Sequence, residues 1–389
     1  MNLLSIKSIL ISTQIGRILD AYLRIALSLL PFFHSLILHS NSKRISPDGF
    51  ILFLYGGIGD VIMTIPLMNN LSKHGKLILY CDERIAELKF LFPVNSIIYL
   101  YNKNQIFNLQ RIDIDIGNYI YIRTSPIIEL YLIGILIGVK YSFGFIMNFY
   151  SINAIGFKLK SSDNKISNLS KEESYQHLYK ILASTAVLKS LESKIPTEYD
   201  SDLNNTTSIL NKKYVVFSTT KTPQWKAGKI EVKEYIKVAE YLIECIDCEI
   251  LFVGSSSEAE EINNIINLSE HKKRLINFAG KTSIKSLVNI LKGALFVVAN
   301  DNGVAHLTSY FSIRIIVIYT FSDHNVYKWN NSNYISLYIR NTPCSPCVSL
   351  NKYPQDNYPV ICNFSFACSK SISADSIITK IKSTNWLLN

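Results

Sequence analysis

Short apolar runs that alternate with helical segments, in two separate blocks, limit this chain more than any other feature. From Gly49 onward, "FILFLY" (50–55), "KLILYC" (76–81), "SIIYLY" (96–101) and "YIYIR" (119–123) read as buried strands. After the first of them, Val61, Ile62, Ile65, Met68 and Leu71 fall near helical spacing and the segment closes at Gly75; another helix is expected around 83–91. "PIIELYLIGILIGV" (126–139) is too short an apolar run to cross a bilayer and reads as a buried helix. A second block predicts strands over 213–219, 249–254, 274–280, 295–300 and 314–319, the last taken as final. Helices are expected over 233–246, 257–267, 283–294 and 304–312. Such alternation means parallel sheets covered on both faces.

Polar, aperiodic sequence at 158–175 and 192–212 separates the blocks, and 389 residues that are 48% hydrophobic suffice for two cores. The expected architecture is therefore α/β, with two Rossmann-like halves and a ligand between them. The boundaries expected are an extension over 1–48, domains over 49–205 and 206–345, and a cysteine-containing segment with a closing helix over 346–389.

In parallel α/β domains ligands bind beyond the carboxyl ends of strands, where helices begin. "YGGIGD" puts Gly56, Gly57, Gly59 and Asp60 at such a junction. Glycines there permit positive φ and close approach to the backbone, and the helix N-terminus suits an anion. Asp60 is either the helix N-cap or a carboxylate on the cleft wall. The dinucleotide pattern G-x-G-x-x-G is absent, because Val61 and Ile62 follow Asp60, so a nicotinamide dehydrogenase loses its main support.

"VVANDNGVAHLTSYFS" is the second junction, with Asp301, Asn302 and Gly303 before a helix that carries His306 in its first turn. The run is plain turn chemistry, or a diphosphate site served by helix amides and an imidazole. In "GSSSEAEEI", Ser257 and Glu260 have capping-box spacing, which makes Glu260 structural, whereas Glu258, just inside the helix, could instead reach a ribose hydroxyl. The loop "STTKTPQWKAGK" offers Lys221, Lys226 and Lys229, either as solvated charge or as a phosphate contact.

The formal net charge of +10 favours an anionic partner, but the basic residues are scattered and no nucleic-acid motif is present, so nucleic acid is excluded. The apolar stretch Ile25–Leu38, broken by Pro31 and His34, is shorter than the roughly 20 residues of a span. With Lys7, Arg17, Arg24, Lys43 and Arg44 nearby, it reads as an interfacial helix on anionic lipid or as a helix packed on the protein's own core. Cys81, Cys245 and Cys248 read as core residues or idle thiols. Cys344, Cys347, Cys362 and Cys368 could hold a structural zinc, but the last pair is spaced too loosely for a knuckle, and reduced, packed thiols are expected, with no metal.

"GGIGDVIMTIPLMNNL", "NFAGKTSIKSLVNILKGALFVVANDNGVAHLTSYF" and "PCSPC…C…C" together resemble glycosyltransferase family 9, the ADP-heptose lipopolysaccharide heptosyltransferases. The resemblance runs from about residue 50 to the C-terminus and implies a GT-B fold and a bacterial enzyme of lipopolysaccharide biosynthesis. It implies Asp60 as the general base, Asp301, Gly303 and His306 as the D-[ST]-G-x-x-H donor motif, and Glu258 near the ribose-binding acid. Phe278, Ala279, Gly280, Lys281 and Thr282 match the stretch near the nucleotide base and phosphates. Asn302 stands where the family has Ser or Thr, and the K-x-W-P segment is not recognisable, leaving Lys226 and Lys229 both as candidates.

The implied reaction is inverting transfer of heptose from ADP-heptose to a lipopolysaccharide-core or related saccharide acceptor. The partners implied are the nucleotide-sugar donor, a lipid-linked acceptor and the inner face of the cytoplasmic membrane; no cofactor is needed, since the nucleotide sugar is a substrate. The alternatives are a same-fold transferase for another nucleotide sugar and surface polysaccharide, or a binding module without turnover.

Overall fold

The computed structural model describes residues 47–54, 56–101, 115–116, 119–123, 133, 137, 141–144, 212–219, 230–339, 345–347, 362 and 364–387. The extension over 1–46, Lys226, Lys229, Cys344, most of the 126–139 run and the polar stretches at 158–175 and 192–211 lie outside them. Elements are numbered over the described residues, which fall into two compact units divided near residues 166–198.

The first unit contains β1 (Gly49–Leu54), α1 (Ile58–Leu71), β2 (Lys76–Asp82), a 3-10 helix (Glu83–Leu91), β3 (Ile97–Tyr101), β4 (Tyr119–Arg123) and β5 (Tyr141–Gly144). The strands form a parallel sheet in the order β3-β2-β1-β4-β5. Every residue of β1 is buried, as expected of a central strand covered on both faces. Ile51, Phe53, Ile78, Tyr80 and Tyr121 join Ile133 in one core cluster. The segment at 83–91 is a 3-10 helix, capped by Asp82, whose carboxylate accepts from the Arg84 backbone N–H at 2.9 Å.

The second unit contains β6 (Tyr214–Ser218), α2 (Val232–Ile246), β7 (Glu249–Phe252), a 3-10 turn (Ser256–Glu258), α3 (Ala259–Asn267), β8 (Leu275–Asn277) and α4 (Ile284–Gly293). It continues with β9 (Val297–Asn300), α5 (Gly303–Tyr310), β10 (Ile315–Tyr319), α6 (His324–Tyr327), β11 (Tyr334–Tyr338), α7 (Ala367–Lys370) and α8 (Ala374–Lys382). The sheet order is β11-β10-β9-β6-β7-β8, all parallel.

The expectation that the strand at 314–319 is final is corrected by β11, which pairs beside it from Ile315↔Tyr334 to Tyr319↔Tyr338. On α2, Tyr235, Val238, Ala239, Leu242 and Ile243 repeat at helical spacing and are buried. The closing helix α8 belongs to this core: Ile377 and Ile381 are fully buried, and the Ala374 N–H donates to Glu234 Oε2 at 2.7 Å.

These orders put a topological switch point in each sheet. In the first, the chain leaves β1 toward β2 on one side and has β4 on the other. In the second, β6 stands between β7 and β9. A ligand crevice belongs beyond the carboxyl ends of those strands, which is where the two sequence junctions lie.

Candidate active site

At the first junction the N-cap of α1 is Gly57, and Asp60 is the third helical residue, not the cap. Its Oδ2 accepts the Gly57 N–H at 2.9 Å, one half of a capping box whose other half glycine cannot supply. Asp60 is half-buried. Gly56 has φ +117°, and a Cβ on it would run into the Asp60 carboxyl group, so glycine is required there twice over. The three glycines and the aspartate thus form one tight turn that fixes a carboxylate at the end of β1.

The second junction is denser. Asn302 caps α5: its Oδ1 accepts the Ala305 N–H at 3.1 Å while its Nδ2 donates to Ser218 Oγ at 2.9 Å, at the end of β6. Beneath it, the Tyr235 hydroxyl donates to Asn300 Oδ1 at 2.6 Å, and Asn300 Nδ2 donates to the Thr219 carbonyl at 2.5 Å. Asn300, Thr219 and Tyr235 are all buried, and among the described residues the buried Thr219 hydroxyl has no hydrogen-bond partner. The carboxyl ends of β6 and β9 are thereby tied together by side chains, leaving the first turn of α5 above them.

Asp301 is held from two sides. Ser322 Oγ donates to its Oδ2 at 2.5 Å, and His306 Nε2 lies 3.5 Å from its Oδ1. His306 is buried, and its Nδ1 accepts the indole N–H of Trp329 at 2.9 Å. Nearby, the Tyr319 and Tyr334 hydroxyls bond to each other, and burial first, then the Asp301 charge, pushes both phenols well above their usual range, Tyr319 also through the charge of Tyr334. The sequence reading missed Ser322, Trp329 and Tyr235 because each joins the site across the fold, not along a motif.

Beyond β7, the capping box is Ser255 with Glu258, a correction to the Ser257–Glu260 pairing. Glu258 Oε2 accepts from the Ser255 N–H at 2.6 Å and from its hydroxyl at 2.7 Å. That carboxylate, expected to be free for a ribose, is thus engaged in closing the turn. Gly280 has φ +70° and lies against Ser256, where a Cβ would collide with it, and its N–H donates to the Gly254 carbonyl at 3.0 Å. The β7 and β8 ends therefore pack as one surface. Lys281 turns back, its Nζ donating to the Asn277 carbonyl at 2.7 Å, and Thr282 is half-buried beside it.

Among the described residues no group of three or more His, Cys, Asp or Glu could hold a metal. Cys368 is buried against Phe321, with Cys347 packed on the same cluster, and Cys362 Sγ accepts the Phe366 N–H at 3.2 Å. Among the described residues no helix is long and apolar enough to cross a membrane.

Residues 172–356 match the model of glycosyltransferase family 9 (heptosyltransferase). That stretch, a little under half of the chain, carries a family 9 glycosyltransferase sequence. That stretch includes β6 through β11 and both the Asn300–His306 junction and the Gly254–Glu258 turn, so the resemblance holds over the second unit's motifs, and the match supports a glycosyltransferase.

The fold agrees. A family 9 glycosyl transferase from Veillonella parvula DSM 2008 superposes with a TM-score of 0.63 at 14% identity, over 90% of this chain and 99% of that one. The E. coli ADP-heptose lipopolysaccharide heptosyltransferase II gives 0.59 at 12%, over 87% and 98%. The iron-containing dodecameric glycosyltransferase TibC of enterotoxigenic E. coli gives 0.56 at 13%, over 89% and 78%. The architecture is thus that of the GT-B heptosyltransferases. No curated relative matches the sequence.

Proposed function

We propose that this family 9 glycosyltransferase moves heptose from ADP-heptose to a lipopolysaccharide-core or related saccharide acceptor, with inversion at the anomeric carbon. The observation that carries the reading is the second junction: an Asn302-capped helix start with Asp301 and His306 beside it, at the switch point of the sheet and inside the family 9 match. Heptosyltransferase II, with the same fold, is named for ADP-heptose and lipopolysaccharide.

In this scheme the donor diphosphate docks on the α5 N-terminus, where amide N–H groups favour an anion. The buried Thr219 hydroxyl is a donor at the adjoining strand end, and Lys226 or Lys229 follows it in the sequence. Gly280, Lys281 and Thr282, with Glu258, border the nucleoside. Asp60 takes the proton of the attacking acceptor hydroxyl. As the new C–O bond forms, the bond to the diphosphate breaks and its electron pair leaves with ADP, through an oxocarbenium-like transition state. The residues of this chain thus bind, orient and move the proton, and the scheme routes no step through a metal or cofactor. The net charge of +10 suits work at the anionic inner face of the cytoplasmic membrane on a lipid-linked acceptor.

Turnover across ADP-, UDP- and GDP-linked sugars with a lipid A–core acceptor extract tests the reading. Acceptor-dependent release of ADP from ADP-heptose is expected. Release only from a uridine- or guanosine-linked sugar would discard the donor and keep the class, and nucleotide binding without turnover for any pair would point to a binding module.

A further inference from the structure

We propose that Trp329 is a positioning residue for the donor site, acting through the tautomer of His306. The proposal rests on the reading of the second junction as a donor site, but its primary readout does not. An indole N–H can only donate. At 2.9 Å from His306 Nδ1 it therefore requires a lone pair on that nitrogen, which places the single ring proton on Nε2. Nε2 faces Asp301 Oδ1 at 3.5 Å. The order is thus fixed along a chain of four side chains: Trp329 donates to His306, His306 presents its proton to Asp301, and Ser322 donates to the other Asp301 oxygen.

The environment holds this arrangement in place. Trp329 and His306 are both buried, and the Tyr310 ring meets Trp329 edge-on with centroids 6.4 Å apart. The indole has one orientation in which both its packing and its N–H are satisfied. At 3.5 Å the His306–Asp301 contact is longer than a good hydrogen bond, so His306 orients Asp301 without a short contact of its own. That orientation is what the tautomer of His306 contributes to the proposed donor site. Without the indole N–H, Nδ1 is open to a proton. The other tautomer, with the proton on Nδ1, turns an unprotonated Nε2 toward Asp301 and loses that contact.

The test is nitrogen NMR of ring-labelled histidine in the full chain, with His306 assigned from the signal lost in His306→Gln. The unmodified protein is expected to show an unprotonated Nδ1 and a protonated Nε2. A protonated Nδ1 there would overturn the proposal without any Trp variant.

In Trp329→Phe, which keeps a ring and removes the N–H, the His306 pattern is expected to lose that tautomer. The donor KM should rise about 3- to 10-fold, the range expected for one hydrogen bond, with kcat within about twofold. In a His306→Gln background the same Trp change should add no further rise in KM. An equal rise with and without His306 would show a packing role and sink the idea. If no nucleotide sugar turns over at all, the ring spectra still decide the proposal, while the donor reading alone falls.

Discussion

At the first junction the chain passes from β1 to α1 on glycines, and one carboxylate closes the turn by accepting the Gly57 N–H. At the second it passes from β9 to α5 on polar side chains that reach β6, the segment after β10 and the segment after α6. Both are strand-to-helix turns at a switch point. The first places one carboxylate on a glycine turn, where the proposed function puts a proton acceptor; the second assembles a polar floor beneath a helix start, where it puts an anion seat. The contrast teaches that the same topological position can be specialised for chemistry by emptying it or for binding by filling it.

The largest expected effect breaks the first junction without touching the second. In Asp60→Asn the amide oxygen can still accept the Gly57 N–H, so the turn survives and only the base is lost. Transfer is expected to fall about 10²- to 10⁴-fold, with ADP affinity unchanged by calorimetry. A parallel loss of ADP binding would mean that Asp60 does not act on the acceptor alone. Gly56→Ala attacks the same turn through its backbone. Its φ of +117° and the approach of the Asp60 carboxyl cost about 1–3 kcal/mol by strain alone, so thermal stability and transfer should fall together. Full transfer with a lowered Tm would separate the glycine from the carboxylate's orientation.

Tyr235→Phe is the corresponding cut beneath the second junction. It leaves buried Asn300 Oδ1 without the Tyr235 hydroxyl that donates to it at 2.6 Å, a loss expected to cost about 1–3 kcal/mol in denaturant unfolding. ADP affinity should weaken with it, because Asn300 ties β9 to the Thr219 carbonyl. An unchanged affinity would show that the floor does not transmit to the seat.

How far the sequence could be read differs between these layers. The central strands were legible because burial on both faces makes them continuous apolar runs, as in Phe50–Leu54 or Ile315–Tyr319. β11 escaped notice because it is a half-exposed edge strand whose Ser336 interrupts the run, and β5 because "YSFG" is short and ends in glycine. The two junctions were legible as turns, since Gly, Asn and Asp carry turn chemistry locally. The partners inside them were not. Three consecutive serines at 255–257 offer three cap registers, and only the fold selects Ser255 with Glu258. Trp329 meets His306 across 23 positions, with no periodicity to announce it.

The smallest effect sharpens the contrast at a single residue. Asn302 does two things at once, capping α5 through Oδ1 and bridging to Ser218 through Nδ2. Serine, common at this place in the resembled family, can cap but is too short to do both. Asn302→Ser should therefore keep the helix start and lose only the bridge, changing stability by less than about 1 kcal/mol, with ADP affinity within a few-fold. Asn302→Ala should lose the cap as well, at about 0.5–2 kcal/mol, and weaken ADP by more than the serine variant. If serine and alanine behave alike, the bridge to β6 and not the cap is what holds the anion seat, and the second junction is a sheet device with a helix attached. If serine matches the unmodified protein in both readouts, the cap alone suffices and the amide is a tolerated exchange for the hydroxyl.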